Sequence, residues 1–166
     1  MRLSTYLQEQ GFTVSNGTAN IETAFTATWG TGKPILGFLA EYDALPGVGH
    51  ACGHNLGTAV IGAACALKSH METEQIPGTI CVYGCPAEEI MSGKIVMNKA
   101  GVFDGLDVAV TWHPFDQNRI SNDIWMSGCE KLYFPRSQRT CRQISAGRAK
   151  RSGCSRTYEY RCKLSA

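Results

Sequence analysis

Three short apolar segments, each about the length of one β-strand, most constrain how this chain can fold. They cover residues 35–40, 78–83 and 108–112, and two segments with apolar residues at helical spacing, 55–70 and 90–100, alternate with them. Continuous apolar runs are typical of parallel strands that helices cover on both faces. The order of the segments therefore predicts an α/β fold, with flanking helices crossing over a mostly parallel sheet.

Composition narrows the class of protein further. The 166 residues are 43% hydrophobic and 18% charged, which excludes disordered, collagen-like and coiled-coil chains. No apolar run reaches the roughly 18 residues of a membrane span, and the N-terminus lacks the apolar core of a signal peptide. Eight cysteines occur without a CxxC pair, so reduced thiols are expected rather than a disulfide framework. We therefore expect a soluble, cytoplasmic protein with no membrane partner.

Side chains that can carry chemistry follow the predicted strands or lie on the Gly-rich loop at 46–53. Ligand sites of open α/β sheets lie beyond the carboxyl ends of the strands, so these side chains are expected at one edge of the sheet. In chain order they are Glu41, Asp43, His50, Cys52, His54, Glu88, Glu89 and His113.

The pentapeptide HACGH, residues 50–54, places a thiol and an imidazole two residues apart. Gly53 permits a tight backbone that can turn Cys52 and His54 towards one ion. Thiolate and imidazole are ligands that Zn²⁺ prefers. Alone the pair is weak evidence, because a loop cysteine beside a hydrogen-bonded histidine has the same sequence.

Two adjacent acids, Glu88 and Glu89, directly follow the second strand, and His113 follows the third. Adjacent carboxylates repel each other, and a metal relieves the conflict if one binds the ion and the other takes a proton. In isolation the acids also suit a solvated helix N-terminus, and His113 suits a structural role. Together with Cys52 and His54 they meet the needs of metal-assisted hydrolysis, an ion that activates water and a carboxylate that carries a proton.

Three motifs carry a resemblance to a known family. They are LAEYDALPGVGHACGHN at 39–55, GCPAEE at 84–89 and AGVFDGLDVAVTWHP at 100–114. In this order they resemble the aminoacylase-type metallo-amidohydrolases, nearest the branch of the p-aminobenzoyl-glutamate hydrolases and the indole-acetyl-amino-acid hydrolases. The resemblance implies the N-terminal part of a zinc-peptidase-like catalytic domain. It also implies hydrolysis of N-acyl-amino-acid or aminoacyl amides, such as p-aminobenzoyl-glutamate.

The resemblance implies roles for the candidate residues. The ligands of one or two Zn²⁺ or Mn²⁺ ions are implied to be Cys52, His54, Glu89 and His113. Glu88 is implied to be the general base, and Asp43 a catalytic-site residue that orients a ligand. Glu41 stands where other branches carry a metal-binding histidine, which leaves it as an extra contact of the site. Full-length members are expected to be homo-oligomers that act on small-molecule amides.

The resemblance also divides the chain, because family members are more than twice this length and carry an inserted dimerisation domain. Residues 1–115 are predicted to be the N-terminal half of the metallohydrolase catalytic domain. Residues 116–134 are predicted to begin the inserted domain. From an incomplete catalytic domain we expect weak or absent activity.

Residues 135–166 differ from the rest of the chain in charge. From residue 131 onward there are ten basic residues and one acid, against six basic and 13 acidic residues before it. Residues 148–163 admit codons that, read one base later, encode a sequence beginning with the family-like GRSALDAVELMN, so the tail at 135–166 is predicted to be out of frame and poorly ordered. On that hypothesis its charge indicates no nucleic-acid partner. Two alternatives stay open, a non-catalytic metal-binding fragment and a nucleic-acid-binding protein that uses the basic tail.

Overall fold

The structure, a computed structural model, describes residues 2–114. This part of the chain forms a five-stranded sheet in the order β1-β2-β4-β3-β5, with helices packed on both faces. In chain order the elements are α1 (Arg2–Glu9), β1 (Thr13–Asn16), β2 (Phe25–Thr31), β3 (Ile35–Glu41), α2 (Thr58–Thr73), β4 (Gly78–Cys85), α3 (Glu88–Met91), α4 (Gly93–Lys99) and β5 (Val108–Thr111). The predicted α/β class is confirmed.

The sheet is more mixed than the sequence predicts. β3 pairs in parallel with both β4 and β5, as the apolar runs indicate. β1 and β2 pair antiparallel, and β2 also runs antiparallel to β4. Residues 17–24, which begin with Gly17 at a φ of 77°, join β1 to β2, and this connection is shorter than the crossover of a dozen or more residues that parallel neighbours need. The parallel half of the sheet, β4-β3-β5, is the half that carries the candidate site.

Strand β4 is the centre of the core, and all eight of its residues are buried. Its side chains alternate between the two faces of the sheet. Ile80 and Val82 pack with α1 and α2 on one face, whereas Cys81 and Tyr83 pack with Met97 of α4 on the other. Burial on both faces explains why this strand reads as a continuous apolar run.

The predicted helix at 90–100 is two short helices. Ser92, with φ 49°, lies in the left-handed region between α3 and α4 and breaks the helical path. The next position, Gly93, requires glycine, because a Cβ there would lie 2.1 Å from the carbonyl oxygen of Pro86. Apolar spacing alone does not reveal this break, since Ser and Gly are tolerated in helices at a modest cost.

The expectation that the last strand is a core strand is wrong. All four residues of β5 are exposed in the part of the chain that the structure describes, including Val108 and Val110. The strand lies at the edge of the sheet and pairs with β3 alone within these residues. An apolar run therefore identified the strand but not its burial.

Several sequence predictions fall on residues outside the described range. These are the start of an inserted domain at 116–134 and the out-of-frame tail at 135–166. Within residues 2–114, no helix is both long enough and apolar enough to cross a membrane. Four cysteines in that range carry free thiols, and these are Cys52, Cys65, Cys81 and Cys85.

An aspartate anchors the start of β3 to the segment before β5. The backbone N–H of Ile35 donates to Asp107 Oδ2 at 2.8 Å, and Lys33 Nζ donates to Oδ1 at 2.9 Å. Both interactions, the first above all, hold the pKa of Asp107 below its ordinary value of 3.8. Because the folded state favours the ionised form, the stabilisation is present above that value and is lost as the pH falls through the lowered pKa.

Asp107→Asn is therefore expected to be less stable than the parent chain at pH 7, with a difference that shrinks as the pH falls below 3.8. Urea unfolding midpoints of both chains, measured from pH 7 downward, check this. Asp104→Asn, which changes an exposed acid nearby, serves as the matched control. A difference for Asp107→Asn that does not depend on pH would contradict the account.

Candidate metal centre

The candidate residues lie where the parallel strands β3, β4 and β5 end, and on the loop that leads into α2. Gly53 has a φ of 82°, a conformation that favours glycine, and it turns the loop between Cys52 and His54. β4 and β5 deliver the acid pair and His113 to the same edge. This is the place where open α/β sheets bind their ligands.

One group of possible metal ligands consists of Cys52, His54 and His113, whose donor atoms all lie within 4.8 Å of one another. Cys52 Sγ lies 3.4 Å from His113 Nε2, and the two imidazole rings meet edge to face with centroids 5.2 Å apart. His113 Nδ1 donates to the carbonyl of Pro114 at 2.8 Å. Because a carbonyl only accepts, Nδ1 carries the proton and the Nε2 lone pair faces Cys52.

A second group consists of His54, Glu88 and Glu89, again with donor atoms within 4.8 Å of one another. His54 belongs to both groups and is only 1% exposed. The structure thus brings together all four residues that the sequence suggested as ligands, and the suggested base with them. His50, two residues before Cys52, is exposed and belongs to neither group.

Asp43 ties the two groups together. Its Oδ1 lies 3.1 Å from His54 Nδ1, and its Oδ2 accepts a hydrogen bond from the backbone N–H of Glu89 at 3.2 Å. A carboxylate on Nδ1 fixes the imidazole ring and leaves Nε2 as the lone-pair nitrogen, as in many metal-binding histidines. One side chain therefore orients both a histidine and the segment that carries the acids.

The residues fit a divalent cation. His54 Nε2 and Glu89 Oε1 are buried and have no hydrogen-bond partner among the described residues. Glu41 Oε2 lies 3.2 Å from His54 Nε2, but the contact lacks the geometry of a hydrogen bond. Buried polar atoms rarely go unpartnered, so two orphans in one cluster of nitrogen, sulfur and oxygen donors indicate a cation site.

Negative charge is crowded in this cluster. Burial raises the pKa of Cys52 to about 12, and a hydrogen bond with Glu89 and the charges of nearby carboxylates add to the effect. Burial and the charge of Glu89 also raise the pKa of Glu88, while His54 partly offsets the shift. A bound cation reverses this situation, because it favours thiolate and carboxylate forms.

The sequence reasoning missed Lys94, in the first turn of α4. Its ammonium forms an ion pair with Glu41, whose side chain is buried. The signal available was a single basic residue five positions after a pair of acids, which by itself does not distinguish a site residue from a surface lysine. Burial lowers the pKa of Lys94.

Comparison with known proteins decides the family. The chain is 45% identical over 130 residues to a p-aminobenzoyl-glutamate hydrolase subunit of Escherichia coli, a match that covers 68% of this chain and 27% of that protein. It is 46% identical over 113 residues to a human Xaa-Arg dipeptidase, covering 59% of this chain and 26% of the relative. The chain belongs to the aminoacylase/M20 family of amidohydrolases.

Solved structures agree with this assignment. A dinuclear metal-binding M20 peptidase from Bacillus subtilis superposes with a TM-score of 0.56 at 26% identity, covering 65% of this chain and 34% of that one. An aminobenzoyl-glutamate utilization protein from Klebsiella pneumoniae, at 21% identity and a TM-score of 0.51, covers 66% of this chain and 37% of its own and shows the fold alone. No family model matches this M20 chain. The chain spans about a quarter of the length of the curated relatives it matches.

Proposed function

We propose that this chain carries part of the active centre of a metal-dependent amidohydrolase. The bonds it acts on are N-acyl-amino-acid or aminoacyl amides, with p-aminobenzoyl-glutamate as the leading candidate substrate. The observation that carries the proposal is the pair of buried, unpartnered donors, His54 Nε2 and Glu89 Oε1, within the cluster of donors at the sheet edge. The names of the relatives supply the amide class.

The ligands in this proposal are Cys52, His54, Glu89 and His113, and the ions are Zn²⁺ or Mn²⁺. Sulfur and imidazole nitrogen suit Zn²⁺, whereas the carboxylates also suit Mn²⁺. A bound ion supplies polarisation of the amide carbonyl and acidifies water. Asp43 holds His54 and the backbone of Glu89 in the orientation that such binding needs.

Glu88 is the proposed general base. It lies in the same cluster as Glu89 and His54, and burial and neighbouring charge raise its pKa. A carboxylate whose pKa is raised towards neutrality takes a proton from water more readily and can return it to the leaving amine. The proton thus moves from water to Glu88 and then to the amine nitrogen of the departing amino acid.

Metal titration of the purified 166-residue chain tests the proposal. We expect Zn²⁺ or Mn²⁺ to bind in equilibrium dialysis, and His54→Ala to lose binding while His50→Ala keeps it.

An assay of p-aminobenzoyl-glutamate hydrolysis, in which the released glutamate is measured, tests activity. Metal binding without turnover would support the alternative of a non-catalytic metal-binding fragment. A parent chain that binds neither ion would overturn the metal centre itself.

Asp43→Asn is expected to weaken metal affinity about 10–100-fold, the range typical when a residue that orients a metal ligand is changed. The amide keeps the shape but only one acceptor oxygen, so either His54 Nδ1 or the Glu89 N–H would face a second donor in place of its acceptor. Competition with a chromophoric chelator measures the affinity. Asp104→Asn is the matched control, and equal affinities for the two variants would contradict the role of Asp43.

A further inference from the structure

Glu41 is a buried carboxylate at the rim of the metal centre. It ends β3, is 6% exposed, and divides its two oxygens between different neighbours. Oε1 pairs with the ammonium of Lys94, and Oε2 lies 3.2 Å from His54 Nε2. A carboxylate in this position has two possible cationic partners, Lys94 and an ion bound by His54.

The spacing to His54 is that of two ligands of one ion. Two ligands at about 2.0–2.1 Å from a tetrahedral ion lie about 3.3–3.4 Å apart. Glu41 Oε2 and His54 Nε2 nearly meet this spacing. Yet Glu41 belongs to neither of the two groups of possible metal ligands described above. Among residues 2–114, these are the groups whose donor atoms all lie within 4.8 Å of one another. Glu41 therefore stands next to the ligand cluster but outside it.

The position of Lys94 explains why Glu41 lies outside the ligand cluster. A cation in the first turn of a helix opposes the helix dipole, so the local structure of α4 does not favour it. The tight approach of Gly93 to the Pro86 carbonyl fixes the start of α4 where Lys94 reaches Glu41. Glu41 is the buried partner of this ion pair, and removal of Lys94 leaves its carboxylate without a compensating charge.

We propose that Lys94 is a positioning residue that holds Glu41 out of the coordination sphere of the ion bound by His54. The inference rests on the proposed metal centre. With Lys94 removed, the bound ion is the nearest cation that can neutralise the buried carboxylate, so Glu41 becomes an additional ligand. Lys94 thereby sets the number of protein ligands and keeps a position on the ion open for water or substrate.

Cobalt spectroscopy on the full 166-residue chain tests this inference, because the visible absorption of Co²⁺ weakens when a fifth or sixth ligand joins four. Lys94→Met is expected to lower the absorption per bound Co²⁺ by about half or more, while Co²⁺ binds at least as tightly as to the parent. The double variant Lys94→Met/Glu41→Leu is expected to restore the parent spectrum. Lys99→Met, in the last turn of α4, is the matched control.

The outcomes separate the possible failures. A merely structural role for Lys94 would weaken Co²⁺ binding without changing the spectrum, and it would overturn the inference. If Lys94→Met does not fold, the double variant decides alone, since an apolar pair can replace a buried ion pair without loss of stability. The Co²⁺ spectrum of the double variant is expected to equal that of the parent. A difference would mean that Glu41 is already a ligand in the parent, which would overturn the inference. A parent chain that binds no Co²⁺ would overturn both the inference and the metal centre.

Discussion

Glu88→Gln, made in a full-length, frame-corrected protein, is expected to lower the rate of amide hydrolysis by about 10²–10⁴-fold while the protein keeps its metal. The amide keeps the size of the side chain but cannot take a proton from water. Glu89→Gln is expected to lose the metal, because the buried, unpartnered Oε1 of Glu89 is the oxygen available for ligation. Two neighbouring acids of the same type thus serve as each other's matched control.

The two variants are compared by metal content after dialysis and by release of glutamate from p-aminobenzoyl-glutamate. Metal content decides between the roles even if the parent chain turns over slowly, because it does not depend on activity. Equal loss of metal in both variants would refute the division of labour. If Glu89→Gln kept the metal and Glu88→Gln lost it, Glu88 would be the ligand and Glu89 the base.

The sequence alone predicted that the candidate ligands lie close together, because parallel strands end at the same edge of a sheet. Cys52 and His113 are 61 residues apart in the chain, yet their side chains approach within 3.4 Å. The carboxyl ends of β3, β4 and β5 lie at one edge, so polar residues that directly follow these strands must come close together. Sequence periodicity located those strand ends to within two residues, which was enough to place the candidate ligands.

The contacts that refine the site were not predictable in the same way. The hydrogen bond from the Glu89 backbone to Asp43 and the ion pair between Lys94 and Glu41 depend on the turn at Ala87 and the break at Ser92. Both residues adopt positive φ, at 56° and 49°, although neither is a glycine. Such conformations cost free energy and arise only where the surrounding structure imposes them, so local sequence gives no signal for them.

Gly57→Ala is expected to destabilise the chain by about 3 kcal/mol or more, at the upper end of what overpacking costs. A Cβ at this position would lie 2.0 Å from the carbonyl oxygen of Glu41 and 2.9 Å from that of His54. Both contacts are with backbone, so no rotamer change can relieve them. The start of α2 would have to move away from the end of β3, and the loop that carries His54 would move with it.

Gly62→Ala provides the matched control within α2. Gly62 is exposed, and nothing lies within 4 Å of the position where its Cβ would be. Alanine there is expected to stabilise the chain by about 0.5–1 kcal/mol, because it restricts the unfolded chain and favours the helix. The midpoint of thermal unfolding and the Zn²⁺ affinity should therefore both fall for Gly57→Ala, whereas Gly62→Ala should raise the midpoint slightly and leave the affinity unchanged. A Gly57→Ala chain could instead have the same unfolding midpoint and the same Zn²⁺ affinity as the parent. That result would show that β3 and α2 can separate without disturbing the site. The close packing of Glu41 against the start of α2 would then not be what holds His54 beside Asp43.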